Sequence, residues 1–141
     1  MKELRKAYII NTNRANRPGG EAERDMLNNE KCSAYFSPWK EKINQIQPND
    51  LVFLYRNGKG IIARGLATGV VEIADYHNDD GWHENEEYFM HLNRFEKLRK
   101  AVSSSSINDI VGSRVVLSPT MVQMEYERGL KIWQVITKEY L

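Results

Sequence analysis

The segment Leu51-Val52-Phe53-Leu54-Tyr55 is apolar enough for a central strand, and it runs straight into Arg56-Asn57-Gly58-Lys59-Gly60. Asn-Gly between two apolar runs is the signature of a tight β-hairpin, so Ile61 to Ile73 must return beside it. Gly65 and Gly69 interrupt that returning run. Glycine inside a strand marks a bulge or a sharp bend, so the hairpin predicts a curved sheet rather than a flat one. Any fold for this chain has to be built around that bent pair.

The flanking segments supply further strands and short helices. Ala7-Tyr8-Ile9-Ile10 reads as a buried first strand ending at Asn11, and Asn11 to Gly20 as a loop closed by Pro18-Gly19-Gly20. Glu21 to Leu27 reads as a short helix with acids at its positive end. Tyr35-Phe36-Ser37-Pro38-Trp39 leads into a second helix, Trp39 to Ile46, with Ser37 as its cap and Pro38 in its first turn. Pro48-Asn49-Asp50 turns into the central strand. Ala74 to Glu87 is expected to be an acidic loop carrying Trp82, and Tyr88 to Leu92 a strand. Phe95 to Val102 reads as a basic connection, Ile107 to Val111 as a helical turn, and Arg114 to Leu117 as an extended piece. Val122 to Tyr140 reads as a C-terminal helix, from the spacing of Tyr126, Leu130, Trp133 and Ile136. Gly129 lies inside it at a cost of about 1 kcal/mol relative to Ala.

Regular β-α alternation is missing, so the expected class is α+β. The expected form is a small mixed, strongly curved β-barrel, with short helices covering its ends and a C-terminal helix. At 141 residues, with 41% hydrophobic and 28% charged residues, one domain spanning 1–141 is expected. No apolar run approaches membrane-spanning length, the Met1–Lys6 segment has no apolar leader core, and Cys32 is the single cysteine. A cytoplasmic protein without disulfides is the expectation.

The net charge of +1 conceals segregation. Residues 1–64 hold 12 Lys/Arg against 7 Asp/Glu, residues 65–93 hold 7 acids and no Lys or Arg, and residues 94–141 hold 8 against 5. Local fields steer charged partners, so a basic N-terminal third remains compatible with phosphate.

Several chemistries lack support. No nucleophile elbow surrounds a serine, no catalytic pattern surrounds Cys32, and neither phosphate-loop motif occurs. Asn78-x-Asp80-Gly81 followed by Glu87 matches the later positions of a calcium loop, but its first ligand would be Tyr76. His77, His83 and His91 with Asp75 and Glu84 lack the spacing of a helical metal pair. No metal and no cofactor are expected.

The aromatics are more informative. Tyr8, Phe53, Phe89 and Trp133 fall in apolar strands or on a helix face and read as core. Trp82 has only polar and acidic neighbours, and Trp39 follows Tyr35 and Phe36. Each is either a plug at a barrel end or the wall of a pocket, and Asn11-Thr12-Asn13 supplies polar groups at a strand end.

In order and spacing these features resemble the EVE domains of the PUA-like superfamily, which are related to YTH domains. The similarity rests on Tyr8-Ile9-Ile10-Asn11-Thr12-Asn13, on Pro48-Asn49-Asp50-Leu51-Val52-Phe53-Leu54-Tyr55 and on Ile61 to Gly69. It extends to Ser113-Arg114, Leu117-Ser118-Pro119 and Glu127-Arg128-Gly129-Leu130-Lys131. Asn49 stands where the EVE strand motif usually has Gly. Lys31-Cys32-Ser33-Ala34 stands where YTH domains place their first cage tryptophan, which favours EVE.

The resemblance implies a non-catalytic reader holding a modified, methylated base of DNA or RNA in an aromatic cage, with a separately encoded effector protein and no membrane. 5-Substituted cytosines are among the implied ligands. The implied pocket comprises Asn11, Thr12, Asn13, Ser33, Tyr35, Phe36, Trp39 and Trp82. Arg14, Arg17, Arg56, Lys59 and Arg114 are the candidates for phosphate contacts. A second reading is a small ASCH-type amidohydrolase of modified nucleosides, using Thr12, Lys40 and Glu41. A third is a protein-interaction module built on Trp82 and the acidic loop.

Overall fold

The computed structural model describes residues 4–12, 20–78 and 80–141. The central pair forms, with β3 (Leu51–Arg56) and β4 (Gly60–Ala67) antiparallel, but the return stops at Ala67 rather than Ile73, which falls in the next strand. β1 (Lys6–Asn11) lies parallel to β3 on its other side, with Ala7 opposite Leu51 and Asn11 opposite Tyr55. Between them the chain makes α1 (Glu21–Asn28), β2 (Lys31–Tyr35) and a 3-10 turn over Lys40–Gln45. It continues through β5 (Glu72–Asn78), β6 (Gly81–Val102), α2 (Ser104–Val111), β7 (Met121–Glu125) and α3 (Tyr126–Glu139). The sheet order is β2-β6-β4-β3-β1-β7, with β5 paired to β6. The protein is α+β, with a strongly curled half-barrel sheet.

Curvature comes from the long β6. Its first part pairs with β5 and β2, and from Leu92 onward it pairs with β4. Serving both requires a bend, and Arg94 in the turn of that path has φ 52. The β4–β6 register slips between Arg64 and Leu66, where Gly65 lies. A Cβ on Gly65 would sit 2.7 Å from the Leu92 Cβ, so only glycine lets β6 pass this closely. Gly69 instead ends the strand, with φ 82 against Pro48.

The strands β1 and β3 divide two cores. Tyr8, Ile10, Val52 and Leu54 face inward with Met26, Cys32, Ile43 and Met90. Ile9, Phe53 and Tyr55 face outward against Ile107, Ile132 and Ile136 of α2 and α3. Burial on both faces explains why β1 and β3 read as continuous apolar runs. Tyr8 and Phe53 are core as expected, whereas Phe89 and Trp133 are only partly buried. Burial pushes the Cys32 thiol from 9.0 up to about 12, and desolvation is likewise the main cause that raises Tyr8. Groups with raised pKa keep protons that the unfolded chain releases, so the native state binds more of them and stability falls as pH rises. Cys32 is expected to contribute a loss on the order of a few kcal/mol as pH rises above 9. Chemical denaturation across that range is expected to show the decline, and Cys32→Ala to flatten its first part.

Four local expectations are corrected. Ala74 to Glu87 is no loop but the β5–β6 hairpin, and Phe95 to Val102 continues β6 rather than connecting elements. Most side chains of that hairpin are exposed or half-buried, so no apolar alternation reveals the strands. The C-terminal helix starts at Tyr126, and residues 121–125 pair with β1 as an edge strand. Val122 extends the spacing of Tyr126 and Leu130 backward by chance. Ser37 caps no helix: its hydroxyl donates to the Glu41 carboxylate, and the turn that follows is 3-10.

Candidate ligand cleft

Two polar clusters lie beneath α1. Glu23, 1% exposed, accepts from the Thr12 hydroxyl at 2.9 Å. It also accepts from Arg56 Nε at 2.9 Å and from Arg56 Nη2 at 2.6 Å. This bidentate pairing raises the Arg56 pKa and ties its guanidinium, 27% exposed, to Glu23 of α1. Thr12 itself is wholly buried, and its amide donates to the Tyr55 carbonyl.

The second cluster grows from β2, which the sequence does not reveal because Lys31, Ser33 and Tyr35 share one of its faces. Antiparallel pairing places Ser33 opposite Phe89 and Tyr35 opposite Glu87. Glu87 Oε2 therefore accepts from Lys31 Nζ at 2.8 Å and from Ser33 Oγ at 2.9 Å. Lys31 also reaches Asp25 on α1 at 3.0 Å and lies over the Phe89 ring. Desolvation disfavours the Lys31 ammonium, but the Glu87 and Asp25 carboxylates outweigh it and hold its pKa above the ordinary lysine value.

A cleft of about 250 Å3 opens between α1 and the β5–β6 hairpin. Glu21, Ala22 and Asp25 form its helical side, and Asp75, Tyr76 and His77 its hairpin side. Tyr35 and Glu87 complete the described lining. The Tyr35 and Tyr76 rings stand 4.6 Å apart, and Phe36 packs edge-on to Tyr76 at 5.3 Å.

Among the expected pocket residues, Tyr35 lines this cleft, Ser33 holds its carboxylate, and Phe36 backs its aromatic wall. Asn11 is buried and pairs with Tyr55. The tryptophans stand outside: Trp39 is 47% exposed and Trp82 67% exposed, and neither is among the lining residues of this cleft. Trp82 packs edge-on to His77 and donates to Asp75 Oδ2 at 3.1 Å, bracing the hairpin at the rim. Asn13, Arg14 and Arg17 lie outside the described residues. Lys59 is exposed on the β3–β4 turn, and Arg114 is exposed between α2 and β7. Thr12, Lys40 and Glu41 take separate partners: Glu23, Glu86 and Ser37.

The sequence reading misses Tyr76, Lys31, Glu23 and Glu87 as site residues. A signal existed only for Tyr76, an aromatic next to Asp75 and His77 in an otherwise polar stretch.

A second cleft, about 510 Å3, lies between α3 and β6 beside Arg64 and Trp133. Arg64 donates to Glu96, to the Trp133 carbonyl and to Thr137, and it stacks on the Trp133 ring at 4.1 Å. Among the described residues no group of three or more His, Cys, Asp or Glu could hold a metal ion, and no helix is long and apolar enough to cross a membrane. No protein-family model matches the chain, and no curated protein matches it in sequence.

Proposed function

We propose that the protein is an EVE-like, PUA-like reader that holds one base of DNA or RNA, carrying a modification, in the cleft between α1 and the β5–β6 hairpin. The observation that carries this reading is the pairing of Tyr35 and Tyr76 with a nearly buried carboxylate, Glu87. An aromatic wall with one fixed polar group suits a planar ring with a hydrogen-bonding edge. The cleft volume lies just under the range of drug-sized pockets, about 300–1,000 Å3, which fits a single base. Asn49 adds support for the EVE resemblance: it adopts φ 70, the left-handed conformation for which the family motif uses Gly.

The amidohydrolase reading is less well supported. It needs a hydroxyl that a substrate carbonyl can reach, and both Thr12 and Ser33 are 0% exposed.

Stacking on an aromatic side chain is worth about 1–3 kcal/mol per base. Tyr76 is 8% exposed and packs in the inner core, so in a Tyr76→Ala protein shown to be folded by thermal unfolding, binding of a short single-stranded oligonucleotide containing 5-methylcytosine is expected to weaken by about ten- to a hundredfold. Fluorescence anisotropy against the wild type measures it. Unchanged affinity would place the base elsewhere, and absence of wild-type binding to any modified or unmodified oligonucleotide would remove the reader reading.

A further inference from the structure

The carboxylate of Glu87 has two oxygens with different roles. Oε2 accepts both from Lys31 and from Ser33, and the side chain is 7% exposed. Oε1 accepts from neither. Among the described residues no buried side-chain nitrogen or oxygen lacks a hydrogen-bond partner. Oε1 is therefore not sealed in the interior, and Glu87 is a lining residue of the cleft.

An oxygen in that position accepts hydrogen bonds and donates none. Its neighbours in the cleft reinforce the preference. Asp75 has both oxygens occupied, by Trp82 Nε1 and by the Asn85 amide, which hold its side chain in place at the rim. Glu21 and Asp25 add two more carboxylates, while no Lys or Arg is among the described lining residues. Lys31 bridges two of these lining carboxylates, donating to Glu87 Oε2 and pairing with Asp25, so it offsets part of their charge and leaves Oε1 unused.

Resting on the reader reading, we propose that Glu87 determines specificity by accepting a hydrogen bond from an exocyclic amino group, so that the cleft takes amino-bearing bases and rejects their oxo counterparts. Cytosine and adenine types present such a donor, as does 5-methylcytosine. In the same pose uracil, thymine and hypoxanthine present a carbonyl oxygen to the carboxylate lone pairs, and their ring N–H lies one atom further along the edge, so Oε1 is satisfied only if the ring shifts in the cleft. A buried group left unpaired by the wrong ligand is what makes discrimination of this kind large. The phosphates of the polymer stay outside, since the acids of the lining repel them.

Three isosteric pairs test this without altering the protein. Wild-type affinities are measured for short single-stranded oligonucleotides that differ at one position: cytosine against uracil, 5-methylcytosine against thymine, and adenine against hypoxanthine. Thymine keeps the shape and methyl group of 5-methylcytosine and changes only the edge. The amino member of any pair that binds is expected to bind ten- to a hundredfold tighter. Thymine binding as tightly as 5-methylcytosine, with both above unmodified cytosine, would overturn the role of Glu87 and leave the reader reading standing. Equal binding of all six, or binding of none, would remove both. Glu87→Gln, checked for folding by thermal unfolding, carries a side-chain amide able to donate and is expected to narrow or invert the 5-methylcytosine preference. Retention of the full preference in a folded Glu87→Gln protein would also overturn the proposal.

Discussion

Gly129→Ala is expected to destabilise the protein by about 2–3 kcal/mol, although alanine is the better helix former. In an isolated helix the substitution would gain about 1 kcal/mol. Here α3 crosses β1 so closely that a Cβ on Gly129 would stand 2.2 Å from the Ala7 Cβ. Ala7 is wholly buried and paired on both sides, to Leu51 and to Met124, so it has nowhere to retreat. Either α3 lifts from the outer core, exposing Ile132 and Ile136, or β1 shifts against two ladders. Urea denaturation reads the loss as a lower midpoint. The companion variant Ala7→Gly/Gly129→Ala removes the colliding methyl and is expected to recover most of it. A double variant no more stable than Gly129→Ala alone would show that the helix–strand contact is not the cause.

Lys31→Met is expected to cost about 3–5 kcal/mol, the usual penalty for removing one partner of a buried ion pair. Methionine preserves much of the stem that lies against Phe89, so the loss is electrostatic. Glu87 then retains only the Ser33 hydroxyl, and Asp25 loses its cation. Adding Glu87→Leu removes the stranded charge and is expected to restore much of the stability. The recovered protein is expected to bind no base, which separates the structural role of the pair from its recognition role. A Lys31→Met protein as stable as the wild type would show that Glu87 is hydrated through the cleft and needs no counterion. Because the folded-state pKa of Lys31 is raised, the pair's contribution is complete below pH 10.5 and disappears as pH rises through the higher folded value. The wild type is therefore expected to converge on Lys31→Met only in strong alkali.

The sequence shows the elements whose side chains face a core and hides those that do not. β1, β3 and β4 are legible because burial on one or both faces leaves an apolar signature, and α1 because acids stand at its positive end. The β5–β6 hairpin is illegible because most of its side chains meet solvent or one another. β2 is illegible for the opposite reason: Lys31 and Ser33 are buried but polar, and only the partner across the ladder, Glu87, makes that burial tolerable. Glu87 lies 56 positions from Lys31, so no local pattern could join them. The aromatic wall was legible in kind but not in identity. Tyr35 lines the cleft, Trp39 and Trp82 do not, and Tyr76 does because the hairpin register places it there. Gly129, which in one dimension only weakens a helix, is explained by what stands opposite it.

The central claim is that the cleft between α1 and the β5–β6 hairpin holds a base. Titrating the isotopically labelled protein with a short single-stranded oligonucleotide containing 5-methylcytosine, and following backbone amide shifts by NMR, tests it directly. The expected result is a set of perturbations confined to Tyr35, Asp75, Tyr76, Glu87 and the first turn of α1, with the amides of α3 unmoved. Perturbations centred instead on Arg64, Trp133 and Thr137, or none at saturating oligonucleotide, would contradict it.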